Sequence, residues 1–157
     1  MSEMRKKALS GLKAGDVFTV TRTLTGEETR AFGDLTRDYN PVHYDPEFAR
    51  ASGFSGLICH GLLVGGMICE IGGQLGWLAT SMTFRYLKPV YLGQTVTCTL
   101  EVLSVDDRHR ARARAKFVTR EGIKVLEAEL EGRLTAGSRK KALEKMVAQG
   151  DPTNKLT

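Results

Sequence analysis

The sequence predicts a single α+β domain in which a curved antiparallel sheet wraps round one central apolar helix. Four long segments, 79–90, 95–105, 108–119 and 123–135, alternate apolar and polar residues with period two, the pattern of half-buried strands. The links between them, Leu92-Gly93-Gln94, Asp106-Asp107 and Arg120-Glu121-Gly122, are short and turn-like, which argues for antiparallel hairpins. Ahead of them, Gly61 to Leu75 spreads Leu62, Leu63, Val64, Met67, Ile68, Ile71 and Leu75 round most of a helical wheel. A helix apolar on nearly all sides has to be wrapped by something.

In chain order, Asp16 to Arg22 is rich in β-branched residues and reads as a first strand entered through a turn at Gly15. Thr25 reads as an N-cap with Glu27 and Glu28 in the first turn, opening a helix to about Leu35. Pro41 disfavours helical geometry at Asn40, so that helix ends before it. Residues 40–60 read as irregular apart from a helical turn near Pro46 to Arg50. The central helix carries Gly65, Gly66, Gly72 and Gly73, each costing roughly 1 kcal/mol relative to Ala. That cost is offset where sheet backbone or a ligand must approach closely. After the last strand, Ser138 caps a short amphipathic helix with Leu143, Met146 and Val147 on one face, and Asp151 to Thr157 frays. Residues 1–137 thus form the domain and 138–157 a helix and tail with no assigned chemistry.

At 157 residues, 41% hydrophobic and 26% charged, the composition is that of one water-soluble globular domain. The basic N-terminus is followed by no apolar signal segment, and Gly61 to Cys69 is too short to span a bilayer, so no membrane role is expected. Cys59, Cys69 and Cys98 are odd in number and sit in mainly apolar settings, which suits a reducing cytoplasm rather than a disulfide framework. The net charge of +5 gathers at Arg5-Lys6-Lys7 and Arg139-Lys140-Lys141. The stripe Arg110, Arg112, Arg114, Lys116 could meet nucleic acid, but Glu127, Glu129 and Glu131 alternate on the next strand. A turn at Arg120-Glu121 pairs 110 with 131, 112 with 129 and 114 with 127; a turn at Glu121-Gly122 pairs 112 with 131, 114 with 129 and 116 with 127. Either register sets cation against carboxylate, so the expectation is a solvated, charge-paired face and no nucleic acid.

The chemistry concentrates between Asp34 and Gly61. Asp38, Asn40 and His43 put a carboxylate, an amide and an imidazole into six residues, and His60-Gly61 opens the apolar helix. A carboxylate–imidazole pair sharing one water can take a proton from it and return one to carbon, and an unpaired N–H at a helix start can stabilise a developing oxyanion. Gly61 has no side chain to obstruct that oxygen. His60 reads as orienting the helix entrance, His109 as a solvated turn residue and Cys59 as packing. His43, His60 and Asp45 follow no zinc spacing, so no metal is expected.

Asp38-Tyr39-Asn40-Pro41-Val42-His43, with Asp45-Pro46, Ala49 and His60-Gly61-Leu62, resembles the hydratase motif of the MaoC-like (R)-specific enoyl-CoA hydratases and dehydratases. The likeness runs from about Leu12 to Thr135 and includes Phe84 to Gly93. It implies a hot-dog fold and a homodimer or higher oligomer that reversibly hydrates trans-2-enoyl thioesters to (R)-3-hydroxyacyl thioesters. CoA or acyl-carrier pantetheine would enter as part of the substrate, between protomers, with no separate cofactor. Asp38 and His43 would hold the reacting water, Asn40 would brace the loop, and the Gly61 N–H would bind the thioester carbonyl. The acyl chain would lie beside the central helix where Gly65 and Gly66 make room, and Arg85 and Lys88 are candidates for the CoA phosphates. Arg37 stands where many members have a small residue, often Gly; Cys69 stands where some have a serine near the substrate; Gln94 replaces a common acidic residue. Rival readings are a 3-hydroxyacyl-ACP dehydratase, a hot-dog acyl-CoA thioesterase and a non-catalytic acyl-CoA-binding protein.

Overall fold

The computed structural model describes residues 2–156. A helix absent from the sequence expectations comes first: α1 (Glu3–Ser10), capped by the Ser2 hydroxyl, which accepts the Arg5 N–H. So short and polar a segment is not stable by itself; it is held because Arg5 and Ala8 are buried. β1 (Val17–Thr23) follows, with Phe18 and Val20 inward. α2 (Gly26–Thr36) starts on a capping box in which Thr25 Oγ1 accepts the Glu28 N–H and the Glu28 carboxylate accepts the Thr25 N–H. It stops at Arg37, which takes the left-handed conformation, φ 59°. A 3₁₀ turn (Pro41–His43) and α3 (Pro46–Ala51) come next, each beginning with proline, where the missing N–H costs no hydrogen bond.

The helix expected over Gly61 to Leu75 is two segments, α4 (Gly61–Gly65) and α5 (Met67–Leu75). The interruption is shallow. Gly66 keeps right-handed geometry, φ −60° and ψ −16°, and the Cys69 N–H bonds the Gly66 carbonyl three residues back, which tightens the turn.

The remaining strands are β2 (Leu78–Tyr86), β3 (Thr95–Val105), β4 (Arg110–Thr119) and β5 (Lys124–Arg133), and the sheet order is β1-β3-β4-β5-β2, antiparallel throughout. Hairpins join β3 to β4 and β4 to β5 as expected. The hairpin expected between β2 and β3 is not formed. β2 lies at the far edge against β5, with Met82 opposite Leu130, while β3 pairs with β1, Val20 opposite Cys98. The physical reason lies in Leu87–Gln94, which is too long for a tight hairpin and contains Pro89, unable to donate to a ladder. β2 accordingly ends at Tyr86 rather than Val90, and the Leu92-Gly93-Gln94 turn is tied to the end of β1 by the Gly93 N–H on the Leu24 carbonyl at 2.7 Å.

Alternate residues of the middle strands, among them Leu100, Val102, Ala113, Ala115, Phe117 and Leu130, face Met67, Ile68, Ile71 and Leu75 of α5 in one buried core. The alanines leave room for the branched side chains of the helix to seat against the sheet. On the other face Arg112 is opposite Glu131, Arg114 opposite Glu129 and Lys116 opposite Glu127, the second of the two registers considered above. Arg114 completes its pairing with Glu101 of β3 at 2.8 Å. Exposed pairs of this kind add little stability, but they fix which face meets water.

The chain ends in α6 (Gly137–Ala148), which starts one residue before Ser138 and has no side-chain cap, with Leu143 buried. Fraying from Asp151 is corrected by the structure. Asp151 is buried and pairs with Arg5 at 3.1 Å, while Arg5 Nη1 donates to the Gly73 and Gln74 carbonyls at the C-terminal end of α5. Asn154 exchanges two hydrogen bonds with the Gln74 amide. Thr157, also assigned to the frayed tail, lies outside the described residues.

Candidate active site

Where α2 ends, the Asp38 N–H bonds the Gly33 carbonyl, and the chain turns so that the Asp38 backbone carbonyl meets two side-chain donors. Tyr44 Oη donates to it at 3.2 Å and His60 Nε2 at 3.0 Å. The main chain is therefore gripped while the carboxylate, 51% exposed, stays accessible. Its Oδ1 accepts the Asn40 N–H at 3.2 Å, and its Oδ2 lies 3.9 Å from His60 Nε2. Tyr44 is not among the residues that the sequence singles out. The signal for it is Gly33 inside α2, where any Cβ would collide with the Tyr44 hydroxyl.

Asn40 Oδ1 accepts the Val42 N–H at 3.3 Å and so caps the 3₁₀ turn that carries His43. His43 is buried, with Nδ1 2.8 Å from the Ile58 carbonyl. A carbonyl only accepts, so the ring proton resides on Nδ1 and the neutral imidazole presents a lone pair at Nε2. Burial holds the His43 pKa below its ordinary value; the Ile58 bond and the nearby Asp38 carboxylate oppose the shift, and His60 adds to it. The His43 and His60 rings stack with centroids 3.8 Å apart and planes 29° apart.

His60 is 1% exposed and spends its Nε2–H on Asp38, leaving Nδ1 buried without a hydrogen-bond partner. One ligating atom from each of Asp38, His43 and His60 lies within 4.8 Å of the others. Convergence of that kind could hold a cation. With one nitrogen of each ring already a donor to a backbone carbonyl and the two rings face to face, however, the set suits a shared water better than a metal. Gly61, the first residue of α4, directs an N–H that no helical carbonyl can reach. Because α4 is only five residues long, that N–H matters more than any helix dipole.

A cavity of about 480 Å³ is lined by Asp38, His60 and Gly61 together with Phe54, Ile58 and Leu126; His43 lies behind His60 and is not part of its lining. It has room for a carboxylate- and imidazole-bound water next to an apolar chain. Lys88 is at this cavity. Arg85 is not: it pairs with Glu127 at 3.4 Å on the opposite, charged face of the sheet. Gly65 does not leave room for a ligand, because a Cβ there would lie 2.9 Å from the Phe84 ring, which already occupies the space. Gly66 backs onto carbonyls of its own helix, and Cys69 is exposed further along α5. Gly72 and Gly73 have open space beside them, so close approach explains neither.

Residues 12–124 match the MaoC-like domain. The chain belongs to the MaoC-like domain family. Over 96 residues it is 33% identical to the mitochondrial 3-hydroxyacyl-[acyl-carrier-protein] dehydratase of Arabidopsis thaliana, covering 60% of this chain and 58% of that relative, which is less than two thirds of its length. Over 116 residues it is 28% identical to the (R)-specific enoyl-CoA hydratase of Aeromonas caviae, covering 71% of this chain and 87% of the relative. The solved structure of the A. caviae (R)-hydratase involved in PHA biosynthesis superposes with a TM-score of 0.74 at 28% identity, covering 79% of this chain and 98% of that one. The curved sheet round α4 and α5 is therefore the hot-dog fold, and the named relatives of this MaoC-like protein are hydro-lyases. At Arg37 the helix ends in a left-handed conformation that glycine adopts more freely than a residue with a Cβ.

Proposed function

We propose that this MaoC-like protein is an (R)-specific enoyl-CoA hydratase. The observation that carries the reading is the convergence of the open Asp38 carboxylate and the His43 imidazole, proton on Nδ1 and Nε2 free, with Asp38 and Gly61 lining an apolar cavity. Water held between Asp38 and His43 loses a proton to one of them as its oxygen adds to C3 of a trans-2-enoyl thioester. The proton taken from water is then returned by the dyad to C2, and the negative charge that grows on the thioester oxygen in between is met by the Gly61 N–H. Acid and base are roles of the dyad as a whole.

Direct support comes from the 28% identity to the A. caviae hydratase across most of its length. The 33% identity to the plant dehydratase favours a second reading, elimination from a 3-hydroxyacyl group on acyl-carrier protein at the same dyad. A second copy of the chain fits the exposed edge strand β2, where Leu78 and Met82 face water beside an unpaired ladder. Cytoplasmic location belongs to the same reading. No helix among the described residues is long and apolar enough to cross a membrane.

The test is the ultraviolet absorbance of the conjugated enoyl thioester on mixing the protein with crotonyl-CoA, with Asp38→Asn as control. Loss of absorbance with wild type alone supports the hydratase. No loss on CoA but turnover of the matching acyl-carrier substrate replaces it with the dehydratase, and release of free thiol from saturated acyl-CoA replaces both with a thioesterase.

A further inference from the structure

Two glycines of α4 are each matched by an aromatic ring of β2. A Cβ on Gly61 would lie 2.6 Å from Tyr86 Cε1, and one on Gly65 would lie 2.9 Å from Phe84 Cε1. The two rings stack at 6.4 Å and 24°, so together they form an aromatic wall along the β2 side of the helix start. The two differ in burial. Phe84 is packed against the core, whereas Tyr86 is 51% exposed and lines the same cavity as Asp38, His60 and Gly61.

This wall occupies the route over Gly61 toward Gly65 along which a long chain would otherwise run beside the helix. The space left open next to Gly61 is the cavity bounded by Ile58, Leu62, Leu87 and Leu126. We propose that Tyr86 is the specificity-determining side chain of this site, closing the path along α4 and confining substrates to short, unbranched acyl groups that fit the cavity. The inference rests on the acyl-thioester reading above. Glycine at 61 then serves the ring as much as the thioester oxygen. The hydroxyl plays no part; the volume of the ring does.

Tyr86→Ala removes the exposed half of the wall and leaves Phe84 in place. Across a ladder of trans-2-enoyl-CoAs from crotonyl to dodecenoyl, the ratio of kcat/KM for the longest to the shortest rises at least about tenfold, since each methylene accommodated in an apolar pocket is worth a several-fold preference. Tyr86→Phe, which keeps the ring, keeps the wild-type ratio. Sedimentation confirms that each variant retains the wild-type assembly, and should Tyr86→Ala not fold, Tyr86→Leu carries the same comparison. In parallel, butyryl-, octanoyl- and dodecanoyl-CoA are titrated calorimetrically, where the affinity ladder tilts toward long chains in the same variant. Wild-type hydration with an unshifted ladder in Tyr86→Ala overturns the role of Tyr86 and leaves the hydratase standing. Absence of hydration by wild type overturns the hydratase, and the calorimetric ladder then decides: a tilt supports the wall, while a flat ladder or no binding overturns it too.

Discussion

His43 and His60 lie ring on ring, 3.8 Å apart, yet each is committed to a different backbone carbonyl, Ile58 for one and Asp38 for the other. The stack locks both faces of the site to the loop that carries the carboxylate. Neither ring can turn without breaking a bond to the main chain.

One consequence is a pH profile. Burial, reinforced by His60, keeps the His43 pKa below 6.5, so the neutral imidazole persists as pH falls past the value at which a free histidine charges. The acid limb of kcat/KM for hydration therefore appears below pH 6.5. Stability follows the same sign. In that window the unfolded chain binds a proton that the folded chain does not, so the free energy of unfolding decreases as pH drops below 6.5 and is unaffected by His43 above it. Urea midpoints for wild type and His43→Gln across that range check the second statement.

His60→Phe keeps an aromatic face for His43 but removes the donor to the Asp38 carbonyl. Tyr44 still holds that carbonyl, so the loop stays folded while the Asp38 carboxylate loses registration with His43. A fall of about 100-fold in kcat with a small change in KM is expected, in line with the cost of a misplacement of about 1 Å. Tyr44→Phe produces a smaller fall, and steady-state kinetics on both variants read the difference.

Arg37→Gly should stabilise the protein. The left-handed φ of 59° costs a residue with a Cβ on the order of 1 kcal/mol, which glycine avoids at the price of a more flexible unfolded chain. A gain of about 0.5–1 kcal/mol in urea unfolding is the expected outcome. Loss of stability instead would show that the Arg37 side chain contributes more than its backbone conformation costs.

Thiol chemistry separates the three cysteines. Burial pushes the Cys98 pKa up to about 12 and raises that of Cys59, while Cys69 is exposed on α5. Alkylation of the native protein, mapped by mass spectrometry, should therefore modify Cys69 and leave the other two until denaturant is added.

Much of the fold and of the site is legible in the amino-acid sequence wherever local chemistry decides geometry. Thr25 and Glu28 specify the start of α2 between themselves, and the alternation of Arg112, Arg114 and Lys116 against Glu131, Glu129 and Glu127 limits the sheet to two registers, of which one is found. Asp38, His43, His60 and Gly61 are legible as a group because Asn40-Pro41 and the apolar helix bracket them. What is not legible depends on contacts distant in sequence. α1 is too polar and short to announce itself and exists because Arg5 reaches Asp151 and the end of α5. The partner of β2 cannot be read from loop lengths, since its ladder is with β5 rather than its neighbour in the chain. Tyr44 is hidden because its function is to fill the gap over a glycine eleven residues earlier. Arg85 and Lys88 look alike in sequence, yet departure of the chain from the sheet after Tyr86 sends one to the charged face and the other to the cavity.

Ser2 and Asn154 both bond the Gln74 side chain, so the two ends of the described chain meet on one amide. From Ser2 to Asn154 the described chain is nearly a closed ring whose seam lies at the C-terminal end of α5. Joining the ends through a short glycine linker and reopening the chain at the exposed Asp106-Asp107 turn should give a circular permutant that folds and keeps its chemistry. The order in which the strands are synthesised would then be free to change without disturbing the loop from Asp38 to Gly61.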